Sequence, residues 1–298
     1  MRSWASVPRK AGAGELGGEI GLAAEGAGAD RGPSPQALLA AVGDLHCGRN
    51  SAAALHSLFA ELDPRANALL LCGDLTDYGH PDEARVLVKE LATVKVPIVA
   101  TLGNHDFESG RQAEVKDVLE EAGVHVLDGD ACEIAGVGFA GVKGFIGGFG
   151  RYTLEPWGED AIKHCVQEAT NEALKLGAAL AKLRTRRRVA LLHYAPIEAT
   201  VVGEPPALHP FLGSSRLEEP LNRYEVTAVF HGHAHHGSPE GRTAGGAPVY
   251  NVALPLLRAV QPDRGPFKLV ELPVLEHAPE GGSQRDAESQ PVEGAIRS

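Results

Sequence analysis

The chain has 298 residues, a formal net charge of −11 and 43% hydrophobic residues, enough to bury a sizeable core in one large domain or two small ones. An acidic balance of this size argues against a general nucleic-acid binder, which carries a basic face. It leaves an anionic substrate open, because bound divalent cations reverse the local field.

Residues 1–34 are rich in Gly and Ala, with Glu15, Glu19, Glu25 and Asp30 scattered among them. They hold no apolar block long enough for a signal peptide or a membrane span, and are expected to form a disordered extension. A strand over 37–42 then runs into Gly43-Asp44-Leu45-His46. Asn50-Ser51 can cap a helix through Leu55, Leu58, Phe59 and Leu62, which recur at helical spacing. A second apolar strand, 66–72, ends in Gly73-Asp74-Leu75-Thr76-Asp77. Pro81 sits well at the first turn of a helix through Ala84, Leu87, Val88 and Leu91. The third strand, 96–102, leads into Gly103-Asn104-His105-Asp106. A helix from Arg111 to Ala122 follows, carrying Val115, Val118 and Leu119 and stopping at Gly123.

Beyond Gly123 the pattern changes to short strands at 124–127, 132–134 and 137–140, with Ala135-Gly136 as a hairpin loop. Residues 142–158 form an irregular insertion bearing Phe145, Phe149, Tyr152 and Trp157. A long helix spans 159–183, and a strand over 188–192 ends at His193. A helix is expected over 214–222. A strand over 228–230 enters His231-Gly232-His233-Ala234-His235-His236, and further strands cover 249–252 and 267–272. The basic run 182–188 reads as a solvated helix end favoured by the helix dipole. Residues 277–298 are polar and are expected to form a second disordered tail. The folded domain is therefore 35–276. Cys47, Cys72, Cys132 and Cys165 form no CxxC pair and read as reduced thiols of a cytoplasmic protein.

Asp44, Asp74 and Asn104 stand thirty residues apart, each after an apolar strand. A strand, a crossover helix and the next parallel strand take about 30 residues, so the spacing suggests consecutive βαβ units. It puts all three side chains at the C-terminal edge of neighbouring strands, where α/β sheets carry their chemistry. Three hard oxygen donors with His46 beside them suggest a metal site. His193, His233 and His235 also follow strands. On an extended chain the i, i+2 pair His233/His235 would point the same way. His105, next to Asn104, would point the other way.

These motifs resemble those of the calcineurin-like metallophosphoesterases: DxH, GDxxD, GNH(D/E), a lone His and GHxH. Here they read Asp44-Leu45-His46, Gly73-Asp74-Leu75-Thr76-Asp77, Gly103-Asn104-His105-Asp106, His193, and Gly232-His233-Ala234-His235. The resemblance implies a four-layer α/β/β/α sandwich with two mixed β-sheets. It implies two divalent or mixed-valence metal ions, for which the N/O donor set suits Mn, Fe, Zn or Co. Asp44, His46, Asp74 and His235 would hold one ion and Asp74, Asn104, His193 and His233 the other, with Asp74 bridging. A metal-bridging hydroxide would attack phosphorus, with His105 at the leaving oxygen, either donating a proton or stabilising the transition state. Asp77 would orient His105, and Asp106 would help local backbone or histidine geometry.

Three departures narrow the resemblance. Tyr78 stands where protein Ser/Thr phosphatases have Arg, Asp106 stands where they have Glu, and Asp77 stands where purple acid phosphatases have a tyrosinate ligand. The motif forms are most similar to the bacterial cyclic-nucleotide phosphodiesterase-like branch. This favours a phosphodiesterase acting on a small phosphorylated substrate, with nucleotides as candidates. A phosphomonoesterase or a nuclease on the same core is the alternative, and a metal-free scaffold is disfavoured because every ligand position is filled. A homodimer is compatible with these readings; a membrane partner is not expected.

Overall fold

The computed structural model describes residues 36–272. The two tails expected to be disordered lie outside the described residues. Three apolar strands and their crossovers appear at the expected intervals: β1 (Ala37–Val42), α1 (Ala52–Ala60), β2 (Ala68–Cys72), α2 (Pro81–Leu91), β3 (Ile98–Thr101), α3 (Gln112–Glu121) and β4 (His125–Val126). Strands β1 to β4 run parallel and in sequence order. The hairpin β5 (Asp130–Ile134) and β6 (Val137–Gly141) turns through Ala135 and Gly136, both with positive φ, as a two-residue hairpin loop requires. The long helix is α4 (Asp160–Lys182), followed by β7 (Arg187–Leu191), α5 (His209–Leu212), α6 (Glu218–Arg223), β8 (Ala228–His231), β9 (Glu240–Arg242), β10 (Pro248–Asn251), α7 (Leu254–Val260) and β11 (Lys268–Leu272). Strand β9 and helix α7 lie outside the sequence expectations: Glu240-Gly241-Arg242 has no apolar signal, and α7 is barely two turns long.

The strands form two mixed sheets. One has the order β11-β1-β2-β3-β4 with β11 antiparallel, the other β5-β6-β7-β8-β10-β9 with antiparallel edges at β5 and β9. Alternation along each strand of the second sheet shows how the layers stack. Val137, Phe139, Val189, Leu191, Ala228 and Phe230 face inward and share a core with Leu39, Leu69 and Val99 of the first sheet. Their neighbours Ala140, Ala190 and Val229 face outward onto Leu176, Ala179 and Leu180 of α4 and Leu221 of α6. Leu55, Leu58, Leu87, Val115 and Leu119 from α1 to α3 join the core from the first sheet's side. The architecture is thus the expected α/β/β/α sandwich, and the C-terminal ends of both sets of parallel strands can meet at one rim.

Candidate metal centre

Every residue named for the site emerges just past a parallel strand: Asp44 and His46 after β1, Asp74 and Asp77 after β2, Asn104 and His105 after β3, His193 after β7, His233 and His235 after β8. The loops are stitched together by main-chain bonds. The Asp44 N–H donates to the Gly73 carbonyl and the His46 N–H to the Asp74 carbonyl, both at 2.9 Å. Asp44, His46, Asp74 and His233 have left-handed φ values of 58°, 44°, 48° and 68°. Such backbone is costly for residues with a Cβ and survives where surrounding structure over-determines it, commonly at functional sites. The glycines beside them allow the crowding. A Cβ at Gly73 would lie 2.3 Å from His193 Nδ1, and one at Gly232 would lie 2.3 Å from Asp44 Oδ2.

Three sets of donor atoms come within 4.8 Å of one another: Asp44, His46 and His235; Asp74, His193 and His233; and His46, Asp74 and His105. The expected ligands are therefore neighbours, with Asp74 Oδ1 3.3 Å from His193 Nε2 and Asp74 Oδ2 3.8 Å from His46 Nε2. Asn104 Oδ1 lies 2.8 Å from His193 Nε2. His233 and His235 diverge toward different sets. The left-handed turn at His233 breaks the extended geometry that the i, i+2 spacing suggested.

His105 also departs from an extended strand end, since it opens a 3₁₀ turn, His105–Phe107. The turn, rather than strand alternation, separates its ring from the Asn104 amide. Its N–H donates to Asp74 Oδ1 at 2.9 Å, and its ring stacks edge-on to His46 at 4.5 Å between centroids. Its Nδ1 is 2.7 Å from the main-chain carbonyl of Asp77. The oriented contact expected from the Asp77 carboxylate is thus made by the Asp77 backbone, and the carboxylate lies instead 3.9 Å from His46 Nδ1. Burial pulls the His105 imidazolium down, but the Asp77 carbonyl and the charges of Asp74, Glu108 and Asp77 outweigh it and leave its pKa raised. Asp106 is fully buried. It accepts N–H bonds from Leu75, Thr76 and Gly103 and the Thr76 hydroxyl, and so holds the second and third motif loops in register. Glu83 supports the same loop by accepting from the Tyr78 and His80 N–H groups.

The donor chemistry fits a cation. His193 Nδ1 is 3.1 Å from the Cys72 carbonyl, so that nitrogen carries the proton and Nε2 presents a lone pair. Burial pushes the His193 pKa well below the ordinary value, keeping the ring neutral. Its Nε2 lone pair then faces Asn104 Oδ1 and Asp74 Oδ1, two further acceptors. An amide flip would relieve the first contact but not the second. Burial likewise lowers His233 to about 3. On the other side, burial raises Asp44 to about 6, against the opposing bond from His235. Asp44 accepts the His233 N–H at 3.0 Å and lies 2.9 Å from His235 Nε2. The Asp44 hydrogen bond raises the His235 pKa. His231 is buried against Thr200 and Gly232, and His236 is exposed; neither joins the cluster.

Several residues around the site have no strong sequence signal. Lys143 follows β6, and its carbonyl accepts the N–H groups of His193 and Tyr194 at 3.0 Å each. Glu172, on the buried face of α4, accepts the Gly144 N–H at 2.8 Å. A buried carboxylate in the apolar stripe Val166–Ala169–Leu176 is the one sequence hint of that contact. The segments 142–158 and 195–214 form a knitted rim: the Gly147 N–H donates to Pro210 and the Gly148 N–H to Gly213, over a small core of Phe149, Ala195, Val201, Leu212 and Ala234. His233 Nε2 lies 3.2 Å from the Phe211 carbonyl on this rim.

Among curated proteins no sequence matches the chain significantly. Among solved structures, a phosphopantetheinyl hydrolase of Mycobacterium tuberculosis shares its fold. It superposes with a TM-score of 0.57 at 16% identity, over 79% of this chain and 96% of that one. A protein of Thermus thermophilus gives a TM-score of 0.49 at 16% identity, over 80% and 99%. The family model for calcineurin-like phosphoesterases matches residues 37–237, which include all five motifs and all three donor sets. The chain belongs to the calcineurin-like phosphoesterase family.

Proposed function

We propose that this chain is a dinuclear-metal-dependent phosphoesterase that cleaves phosphodiesters of small molecules, and that it lies in the cyclic-nucleotide phosphodiesterase-like branch. The observation that carries this is that Asp74 stands in two of the three donor sets, with His193 and His233 in one and with His46 and His105 in the other, while His46 links it to Asp44 and His235; the His105 ring is also bonded to main chain. Asp44, His46, Asp74 and His235 would hold one ion and Asp74, Asn104, His193 and His233 the other. Manganese, iron, zinc or cobalt suit these donors. Ions held there would polarise phosphoryl oxygens and make a water acidic enough to act near neutral pH.

The chain's own residues supply the rest. The Asp77 carbonyl fixes the Nδ1 proton of His105, so that Nε2 is the atom available to hand a proton to the leaving oxygen. Asp106 holds the loops that carry Asp74 and His105 at a constant separation. The rim built from 142–158 and 195–214 presents Tyr152, Val202, Leu208 and Phe211 exposed, a surface suited to an apolar arm of a diester such as a nucleoside. Diester preference rests on the motif forms, in particular the absence of Arg after Asp77. The catalytic domain is taken as 35–276. The free cysteines support a cytoplasmic location. Among the described residues no helix is long and apolar enough to cross a membrane.

Assay of purified protein with added Mn²⁺ against bis-p-nitrophenyl phosphate, p-nitrophenyl phosphate, cyclic nucleotides and short oligonucleotides tests this reading. The diesters should turn over fastest. Faster turnover of p-nitrophenyl phosphate would make the protein a phosphomonoesterase, and no turnover of any ester together with no bound metal would make it a scaffold.

A further inference from the structure

Lys143 has no part in the chemistry described above, yet it sits against the site from two directions. Its carbonyl is bonded to the strand end bearing His193. Its side chain crosses to the turn bearing His105: Nζ is 5.2 Å from the ring centre of Phe107, 4.8 Å from that of Phe145 and 5.2 Å from that of Tyr194. The Tyr194 ring is in turn 4.5 Å from the His233 ring, centre to centre. One ammonium donor goes to the Gly144 carbonyl at 2.9 Å. Among the described residues no carboxylate forms an ion pair with it. The nearby Glu172 is committed to the Gly144 N–H and to Lys175.

Burial of this ammonium costs more than the non-contacting charges of Glu172 and Glu168 return, and aromatic faces offset only part of that cost, about 0.5–1 kcal/mol at exposed sites and ~2 when desolvated. Placing it beside a centre built for two divalent ions adds repulsion, which an anion lying between them would reverse. The Tyr194 ring lies 5.2 Å from the ammonium and 4.5 Å from the His233 ring, so Lys143 reaches the donor cluster through an aromatic neighbour and not as one of its donors. The ammonium therefore faces something beyond the scissile phosphoryl group. Resting on the phosphoesterase reading, we infer that Lys143 receives a second anionic group of the substrate, a phosphate or carboxylate carried on the arm next to the scissile phosphate, and that Phe145 and Tyr194 flank that arm.

The test measures selectivity rather than activity. Calorimetric Kd values are taken for methylphosphonate and for methylene-, ethylene- and propylenediphosphonate on Mn²⁺-supplemented wild type, Lys143→Met and Lys143→Arg. The longest two diphosphonates allow for the reach between the groups. Wild type should bind at least one diphosphonate about tenfold more tightly than methylphosphonate, as one charge-assisted hydrogen bond provides. Lys143→Met, which keeps the packing on the rings, should bring that ratio close to one, and Lys143→Arg should restore most of it. A wild type with no preference for any diphosphonate overturns the inference. So does a ratio unchanged in Lys143→Met, since a purely structural lysine would shift all four constants together. Turnover of thymidine 5′-(p-nitrophenyl phosphate) by wild type is read in parallel. Absence of turnover of this diester and of p-nitrophenyl phosphate beside a Lys143-dependent ratio would sink the phosphoesterase reading and keep the anion site.

Discussion

The Asp44–His235 side of the cluster and the Asp74–His193 side solve the same electrostatic problem by different means. On the first side the His235 ring, 35% exposed, can share a proton with Asp44, and the pair is satisfied as an ion pair. On the second side His193 is fully buried, its one proton is spent on the Cys72 carbonyl, and its free nitrogen faces only acceptors. A proton can stand in for a metal on the open side and not on the buried one. The demand for a cation therefore lies in the strand ends of β3 and β7, while the open side adjusts to what is bound. Asp74, which stands in one donor set with His193 and His233 and in another with His46 and His105, is the residue we propose the two sides share.

Asp74→Asn should break the comparison altogether, because both sides lose a charged donor. Metal analysis after gel filtration should find neither ion retained, with turnover of bis-p-nitrophenyl phosphate reduced by at least about 10³-fold. Retention of two ions at normal rate would show that Asp74 does not join the two sides.

His105→Ala sharpens the picture from outside the two sides. Its loss should cost about 10²–10⁴-fold in rate, the usual worth of a general acid, with both ions kept. The deficit should be smallest for p-nitrophenolate, which needs little protonation on leaving. Equal deficits for good and poor leaving groups would leave His105 a charge-stabilising residue, and loss of an ion would place it among the ligands, as its proximity to His46 and Asp74 allows.

The smallest effect separates the sides by stability. In metal-free protein, His193→Ala removes a wholly buried ring and orphans the Cys72 carbonyl, a loss of about 1–3 kcal/mol by urea denaturation. His46, 24% exposed and with its carboxylate contacts at 3.8 and 3.9 Å, should cost no more than about 0.5 kcal/mol on the same change. Equal costs would mean that burial does not distinguish the two sides.

The repeating strand–helix interval and the polar residues closing each strand were legible because βαβ geometry leaves a periodic mark and because apolar runs stop where the chemistry starts. That was enough to place Asp44, Asp74 and Asn104 at one edge and to attach His193, His233 and His235 to it. Local conformation was not legible. Left-handed φ at His233 overturns the common direction inferred for His233 and His235, and a 3₁₀ turn in place of strand alternation sets His105 apart from Asn104; both arise from loops packing on each other rather than from any preference of histidine. Asp77 shows the same limit: a motif can name the residue, but only packing decides that its carbonyl, not its carboxylate, meets His105. Lys143 lies further still from the reach of sequence. Its setting is made by Phe107, Phe145 and Tyr194, which come from three separate segments, and no local pattern records a contact that exists only once both sheets have stacked. The order of candidate ligands along the chain was a property of the sequence; which atoms of those residues face one another, and what stands behind them, was decided by the meeting of two strand-end rims.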